Sequence, residues 1–156
     1  MTRTPTASLE SYEGGQKELL VEPRRIHLAN GLRVLVLETP HISSASAGLY
    51  IRVGSRFEGE GEHGLSHLVE HLLFRGCGDF PDADALNVAI ESLCPFLDAS
   101  TGREFTALEA TCDPGALPAL LEVMASMVGD CLLQSLDKER EIILHEIADE
   151  VDGDGR

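Results

Sequence analysis

Apolar and polar positions alternate along the first third of the chain. Alternating runs at residues 25–28 and 32–38 flank Asn30-Gly31, and an Asn-Gly pair between two apolar runs is a strong signal for a β-hairpin. Small and apolar residues also alternate over residues 44–53. The pattern therefore predicts a hairpin followed by a third strand.

Apolar residues then recur at helical spacing in four segments, with two more alternating segments between the second and third of them. Helices are predicted over residues 64–74, 82–93, 114–131 and from Ser135 or Asp137 to about 151, and strands over 96–99 and 104–112. Asp113 is expected to cap the third helix, with Pro114 at its first position. The order β-β-β-α-α-β-β-α-α predicts an α+β fold, in which an antiparallel or mixed sheet is covered by helices.

The length and composition are those of one compact domain. The chain has 156 residues, of which 43% are apolar, so a sizeable core can be buried. We expect the domain to cover residues 21–151, after a flexible lead-in over residues 1–20 and before a frayed tail over residues 152–156.

The net charge of -15, from 27 acidic and 12 basic residues, argues against nucleic acid as a partner, because phosphates need clusters of Lys and Arg. It favours basic peptides and cations. We see no signal peptide and no apolar run long enough to span a bilayer, so no membrane association is expected. Four cysteines without a C-x-x-C pair indicate reduced thiols and a cytoplasmic protein.

The first predicted helix contains the segment His67-Leu-Val-Glu70-His71, which has the pattern His-x-x-Glu-His. Positions i and i+4 of a helix share one face, so the two imidazoles can bind one zinc ion while Glu70 lies beside them. This reverses the order of the common H-E-x-x-H motif and is a known signature of zinc peptidases. A catalytic zinc needs a third protein ligand and an open position for water.

The last predicted helix offers two candidates for the third ligand, Glu139 and Glu146. They are seven residues apart, so they share one face about 10 Å apart. One carboxylate can bind the metal while the other supports the ligands around it. The helix spacing alone does not decide between them, and a solvated acidic face explains the same residues.

These motifs together resemble the N-terminal part of the M16 zinc metallopeptidases, the family of pitrilysin, insulin-degrading enzyme and the mitochondrial processing peptidases. The resemblance runs from about Ile26 to Glu150. The matching segments are residues 30–34, 54–56 with Glu58, 64–76, 97–101 with 103–104, 139–140 and 146–147. The resemblance implies a LuxS/MPP-like α+β metallohydrolase half-domain.

The resemblance also implies a role for each matching residue. Zinc would be held by His67, His71 and Glu146. Glu70 would be the catalytic base, and Glu139 would be a supporting carboxylate next to the metal ligands.

The segment at Asp98-Ala99 would be the strand edge to which an extended peptide adds as another strand. Asp98 stands where the family usually has Asn, and Cys94 and Pro95 replace two family glycines. The chain is also much shorter than the family's subunits. The missing half is therefore expected from a second chain of this fold or from another copy of this chain.

Two functions from different classes follow. The first is a zinc endopeptidase that acts on short or unfolded peptides. The second is a zinc- and peptide-binding subunit or fragment that does not turn over until a partner completes the cavity. A purely structural zinc is disfavoured, because structural sites usually have four protein ligands and favour Cys. His63 and Cys77 lie near the motif in sequence, and His145 precedes Glu146. Surface histidines and a packed thiol explain these residues.

Overall fold

The described part of the chain contains five strands and four α-helices in the predicted order. The computed structural model describes residues 22–153, so the predicted lead-in (1–20) and residues 154–156 of the predicted tail lie outside the described residues. The strands are β1 (Arg24–His27), β2 (Arg33–Val36), β3 (Ala45–Ile51), β4 (Leu97–Thr101) and β5 (Thr106–Cys112). The helices are α1 (Leu65–Leu73), α2 (Ala83–Leu93), α3 (Leu117–Gly129) and α4 (Leu136–Gly153), with a short 3-10 helix at Ser55–Phe57.

The chain divides into two compact units, Met1–His41 and Ile42–Arg156. The described part of the first unit is the β1–β2 hairpin. The second unit holds the other three strands and the four α-helices. One continuous domain over residues 21–151 stays a prediction. None of the helices in the described part of the chain combines the length and the apolar character that crossing a bilayer requires.

The predicted hairpin is confirmed. β1 and β2 are antiparallel, with Arg24 opposite Val36. The Leu32 amide donates to Oδ1 of Asn30 at 3.1 Å, and Gly31 has a φ of 90°, which residues with a side chain rarely adopt. The Asn-Gly pair therefore forms the turn because the Asn30 side chain accepts a hydrogen bond within it and Gly31 adopts a positive φ.

The second unit is built on a three-stranded antiparallel sheet in the order β3-β5-β4. One face of the sheet packs with α2 and α3 in a single apolar core. The buried core residues are Leu97, Leu108, Ala110 and Cys112 from the sheet, Leu86 and Ile90 from α2, and Leu120, Val123, Met124 and Met127 from α3. Burying each Leu, Ile, Val or Met side chain contributes about 1.5–3 kcal/mol, so these aliphatic residues and methionines stabilise a core that has few aromatic residues.

Helix α1 packs against both α4 and β4. Its buried side chains are Ser66, Leu72 and Leu73. Across the interface, the buried side chains of α4 over residues 136–148, where burial is described, are Ile143 and a charged one, Glu139. The contact between these two helices therefore contains a buried charged side chain, whereas the buried polar residues of α3 and β5, Ser126 and Thr106, are uncharged.

The start of α3 differs from the prediction. The helix begins at Leu117 rather than after Asp113, and Pro118 lies in its first turn. The Asp113 carboxylate accepts from the Gly115 amide at 2.8 Å, and its carbonyl accepts from the Ala116 amide at 2.9 Å. Asp113 therefore closes a turn before the helix, because a short acidic side chain competes equally well for turn and cap positions.

Candidate metal centre

Two imidazoles on α1 direct their Nε2 atoms into the same space. His67 and His71 are one helical turn apart, and their Nε2 atoms lie 3.2 Å from each other. The ring planes are inclined at 83°. Two nitrogen lone pairs at this separation suit a shared cation.

Glu146 on α4 completes a group of three donor atoms. Its Oε2 lies 3.7 Å from Nε2 of His67 and 3.9 Å from Nε2 of His71. With the 3.2 Å separation of the nitrogens, these distances form a triangle whose centre is about 2.1 Å from each atom, and zinc binds His nitrogen and carboxylate oxygen at about 2.0–2.2 Å. Two imidazoles and a carboxylate therefore fit a zinc ion with an open fourth position.

Glu139 lies on the other side of the His71 ring. Its side chain is 1% exposed, and its Oε2 is 3.4 Å from Nδ1 of His71. This contact favours the tautomer in which Nδ1 carries the proton and donates to the carboxylate. Nε2 then keeps its lone pair for a metal, as in carboxylate–histidine–metal arrangements.

Arg75 holds the buried carboxylate in place. Its Nη2 donates to Oε2 of Glu139 at 3.1 Å, while its Nε is 2.7 Å from Oε1 without the alignment of a hydrogen bond. Burial alone would raise the pKa of Glu139, but the hydrogen bond and charge of Arg75, with a smaller effect of His71, lower the pKa below its ordinary value. Glu139 is therefore held as an anion that orients His71.

Glu70 precedes His71 on α1 and is half-buried. Its Oε2 is buried without a hydrogen-bond partner among the described residues. Buried carboxylate oxygens are nearly always hydrogen-bonded, so this oxygen, on the residue before His71, is available to accept a hydrogen bond from a bound molecule.

The start of α1 depends on a carboxylate from the preceding loop. Gly64 occupies the N-cap with a φ of 87° and has no capping side chain. Glu58 instead accepts from the Gly64 amide at 3.0 Å and from the Ser66 amide at 2.8 Å. These two donors are among the four that every helix N-terminus leaves unpaired, so Glu58 fixes the turn that leads into His67.

Sequence reasoning assigned no role to Glu58 or Arg75. Gly64 at the N-cap has no side chain to cap the helix, and acidic residues occur in the loop before it. This pattern was a signal that a carboxylate from the loop caps α1. Arg75 follows His71 by four residues, which is the spacing of neighbours on one helical face. That spacing offered a signal for a cation near the buried glutamate.

Asp98 and Ala99 lie on β4, at an edge of the three-stranded sheet. Asp98 is exposed and stands opposite Glu109 of β5. Of the described residues, one group of three metal-ligating side chains converges, and it contains neither His63, His145 nor Cys77.

The fold and these side chains define a class: an α+β protein with a candidate mononuclear metal centre between two helices. The comparison with known families is specific. Residues 33–153 match the family described as insulinase (peptidase family M16). The chain belongs to this family, and its α+β fold is that of the family's structures.

The chain is similar to proteins much longer than itself. It is 36% identical over 130 residues to an uncharacterized zinc protease of Mycobacterium tuberculosis, a match that covers 81% of this chain and 29% of the relative. It is 33% identical over 149 residues to human cytochrome b-c1 complex subunit 1, covering 94% of this chain and 31% of the relative. The crystal structure of pitrilysin matches with a TM-score of 0.72 and 27% identity, over 84% of this chain and 14% of that one.

Proposed function

We propose that the protein is a zinc-dependent peptide hydrolase that cleaves short or unfolded peptides. The main support is the convergence of one donor atom each from His67, His71 and Glu146 around a point about 2.1 Å from all three. Membership of a peptidase family adds to this support.

The residues would divide the chemistry among them. His67, His71 and Glu146 hold zinc, which when bound polarises the scissile carbonyl and lowers the pKa of water. Glu70 takes the proton from the attacking water and returns it to the leaving amine. Glu139 accepts from His71 and keeps the ring in the orientation that the metal needs.

The peptide would bind as an additional strand along β4. This strand lies at the edge of the three-stranded sheet, and α1 packs against it. Main-chain groups near Asp98 and Ala99 would pair with an extended peptide, because strand addition relies on backbone hydrogen bonds. Strand addition selects for unfolded segments, since a folded substrate has already paired its backbone.

The acidic composition favours basic peptides. A net charge of -15 attracts cationic substrates over a distance that salt shortens. Matched basic and acidic peptides are therefore expected to differ in kcat/KM at low salt and to converge at high salt. Equal rates under all conditions would exclude the charge preference without touching the hydrolase proposal.

The experiment that tests the function is peptide cleavage by the zinc-loaded chain and its Glu70→Gln variant. We expect the variant to bind zinc as the wild type does but to lose at least about 100-fold in kcat, since a general base contributes about 10²–10⁴-fold. Glu91→Gln is the matched control, because Glu91 is an exposed glutamate on α2. Equal turnover by wild type and Glu70→Gln would reject the proposed base.

A second candidate function is a zinc- and peptide-binding subunit that needs a partner chain. The similarity to cytochrome b-c1 complex subunit 1, which is named as part of a complex, favours it. The chain spans about three tenths of the length of the curated relatives it matches. The partner would be a second chain of this family or another copy of this one.

Zinc titration and turnover separate the two candidates. Stoichiometric zinc binding with no cleavage by the chain alone supports the subunit, and activity that appears only at concentrations where copies associate supports a homo-oligomer. Because the four cysteines are free thiols, we place either function in a reducing compartment such as the cytoplasm.

A further inference from the structure

Two cysteines that play no part in the candidate metal centre face each other across a short antiparallel bridge. Cys77 and Cys131 form this bridge. The backbone hydrogen bonds on either side run from Gly78 N to Asp130 O and from Leu132 N to Gly76 O, both at 3.1 Å.

This hydrogen-bond pattern makes Cys77 and Cys131 a non-hydrogen-bonded pair, whose Cα atoms are typically about 4.5 Å apart with both side chains on one side of the ladder. A disulfide requires a Cα separation of about 4.4–6.8 Å. The typical separation for a pair of this kind therefore falls within the range that a disulfide needs. Both residues are thiols in this structure.

The two thiols differ in access. Cys77 is 0% exposed. Cys131 is half-buried, and its Sγ donates to the Leu72 carbonyl at 3.5 Å. A small reagent from solution therefore reaches Cys131 first, and Cys77 lies opposite it to complete the exchange.

The bridge joins the two elements that carry the candidate ligands. Cys77 lies four residues after the end of α1, and Cys131 lies five residues before the start of α4. A covalent link here would fix the exit of the histidine-bearing helix to the entry of the helix that carries Glu139 and Glu146.

We propose that Cys77 and Cys131 are a disulfide-forming pair that reacts with small-molecule disulfides. The Cys131 thiolate attacks one sulfur of the reagent, forms a mixed disulfide and releases one thiol. Cys77 then attacks the Cys131 sulfur, forms the protein disulfide and releases the second thiol. Two protein thiols are oxidised and the reagent is reduced to two thiols, with the two protons going to the leaving thiolates.

The other two cysteines provide a comparison within the same chain. Cys94 and Cys112 are both buried. Burial raises the pKa of both thiols, and the thiolate is the reactive form. No backbone bridge among the described residues pairs Cys94 with Cys112. We therefore expect these two thiols to stay reduced under conditions that oxidise Cys77 and Cys131.

The test is oxidation of the metal-free, reduced full chain by glutathione disulfide, followed by alkylation and mass spectrometry. We expect a loss of about 2 Da, a cross-linked peptide that contains Cys77 and Cys131, and alkylation confined to Cys94 and Cys112. The melting temperature should rise by about 5–10 °C on oxidation. The disulfide would close the loop from Cys77 to Cys131 and so lower the conformational entropy of the unfolded chain.

Cys131→Ala should abolish both the cross-link and the rise in melting temperature, whereas Cys94→Ala should keep both. Each protein is compared with its own reduced state, so a destabilised variant remains informative. A persistent glutathione adduct on Cys131, a cross-link between other cysteines, or full alkylation of all four would overturn the proposal. None of these measurements involves peptide cleavage, so the result is independent of the proposed function.

Discussion

The two glutamates that α4 presents to α1 have the same chemistry and opposite surroundings. Glu139 is 1% exposed and contacts Arg75 and His71. Glu146, two turns further along, is 46% exposed and has its Oε2 near the two Nε2 atoms. The two carboxylates therefore differ because they meet different parts of α1. Glu139 is already bound to Arg75 and His71, whereas Glu146 has an oxygen that can bind a metal.

The difference follows from where α1 ends. Arg75 lies just beyond the last residue of α1, so its guanidinium reaches the first turns of α4 and neutralises the buried charge. A buried carboxylate without such a partner is strongly destabilising. No arginine or lysine is paired with Glu146 among the described residues, which leaves the two imidazoles as its polar neighbours.

Zinc affinity gives the largest expected contrast. Glu146→Gln should weaken zinc binding by at least about 100-fold, because it removes one of three proposed ligands. Loss of a residue that only supports a ligand typically costs about 10–100-fold in affinity, and loss of a ligand should cost more. The stability of the metal-free protein should change by no more than about 0.5 kcal/mol, as expected for an exposed side chain. Competition with a chromophoric chelator measures the affinity. Glu141→Gln, an exposed change on the same helix, is the control, and an equal loss in that variant would remove Glu146 from the site.

Glu139→Gln should reduce stability more, and zinc affinity less, than Glu146→Gln. The metal-free protein should lose about 1–3 kcal/mol of stability, because Arg75 keeps its charge while losing its partner. Zinc affinity should fall by about 10–100-fold through loss of orientation at His71. Urea unfolding without metal measures the first effect and chelator competition the second. An unfolding midpoint equal to that of Glu141→Gln would show that the buried ion pair does not stabilise the fold.

Glu58 provides a smaller effect with a defined pH dependence. The Ser66 amide lowers the pKa of Glu58; burial opposes this, and the Gly64 amide and His63 contribute further lowering. Since the folded pKa is lowered, the stabilisation is present above the unfolded pKa of about 4.3 and is lost as the pH falls through the folded value.

Glu58→Gln should therefore be less stable than wild type by about 0.5–1 kcal/mol near neutral pH, at the low end for capping because the carboxylate is only half-buried. The difference should shrink from about pH 7 to about pH 3 in urea unfolding. Glu60→Gln, in the same loop and exposed, should follow the wild type. If the difference in stability between wild type and Glu58→Gln is constant across this pH range, the charge of Glu58 does not account for its stabilising effect.

The order of elements was predictable because the signals were local. The Asn30-Gly31 turn, the alternation in β3 and the helical spacing around His67 each lie within about a dozen residues. The start of α3 was mispredicted because Asp113 can close a turn as readily as it can cap a helix.

The candidate site was only partly predictable because its decisive contacts are distant in sequence. Spacing alone left Glu139 and Glu146 equivalent, and family resemblance distinguished them. The contact between Arg75 and Glu139 depends on how α1 and α4 pack, and no local pattern encodes that packing. The capping by Glu58 likewise depends on the path of the loop before α1.

The exposed ion pair between Arg56 and Glu104 should have a smaller coupling free energy than the buried pair between Arg75 and Glu139. Both side chains are mostly exposed, at 69% and 61%, so a double-mutant cycle with Arg56→Gln and Glu104→Gln should give a coupling of no more than about 0.5 kcal/mol that disappears in high salt. The same cycle with Arg75→Gln and Glu139→Gln should give at least about 1 kcal/mol that persists, because screening ions do not reach a buried carboxylate. Urea unfolding at two salt concentrations measures both. Equal couplings would mean that burial does not distinguish these pairs, and the contrast between the two glutamates of α4 would then need another cause.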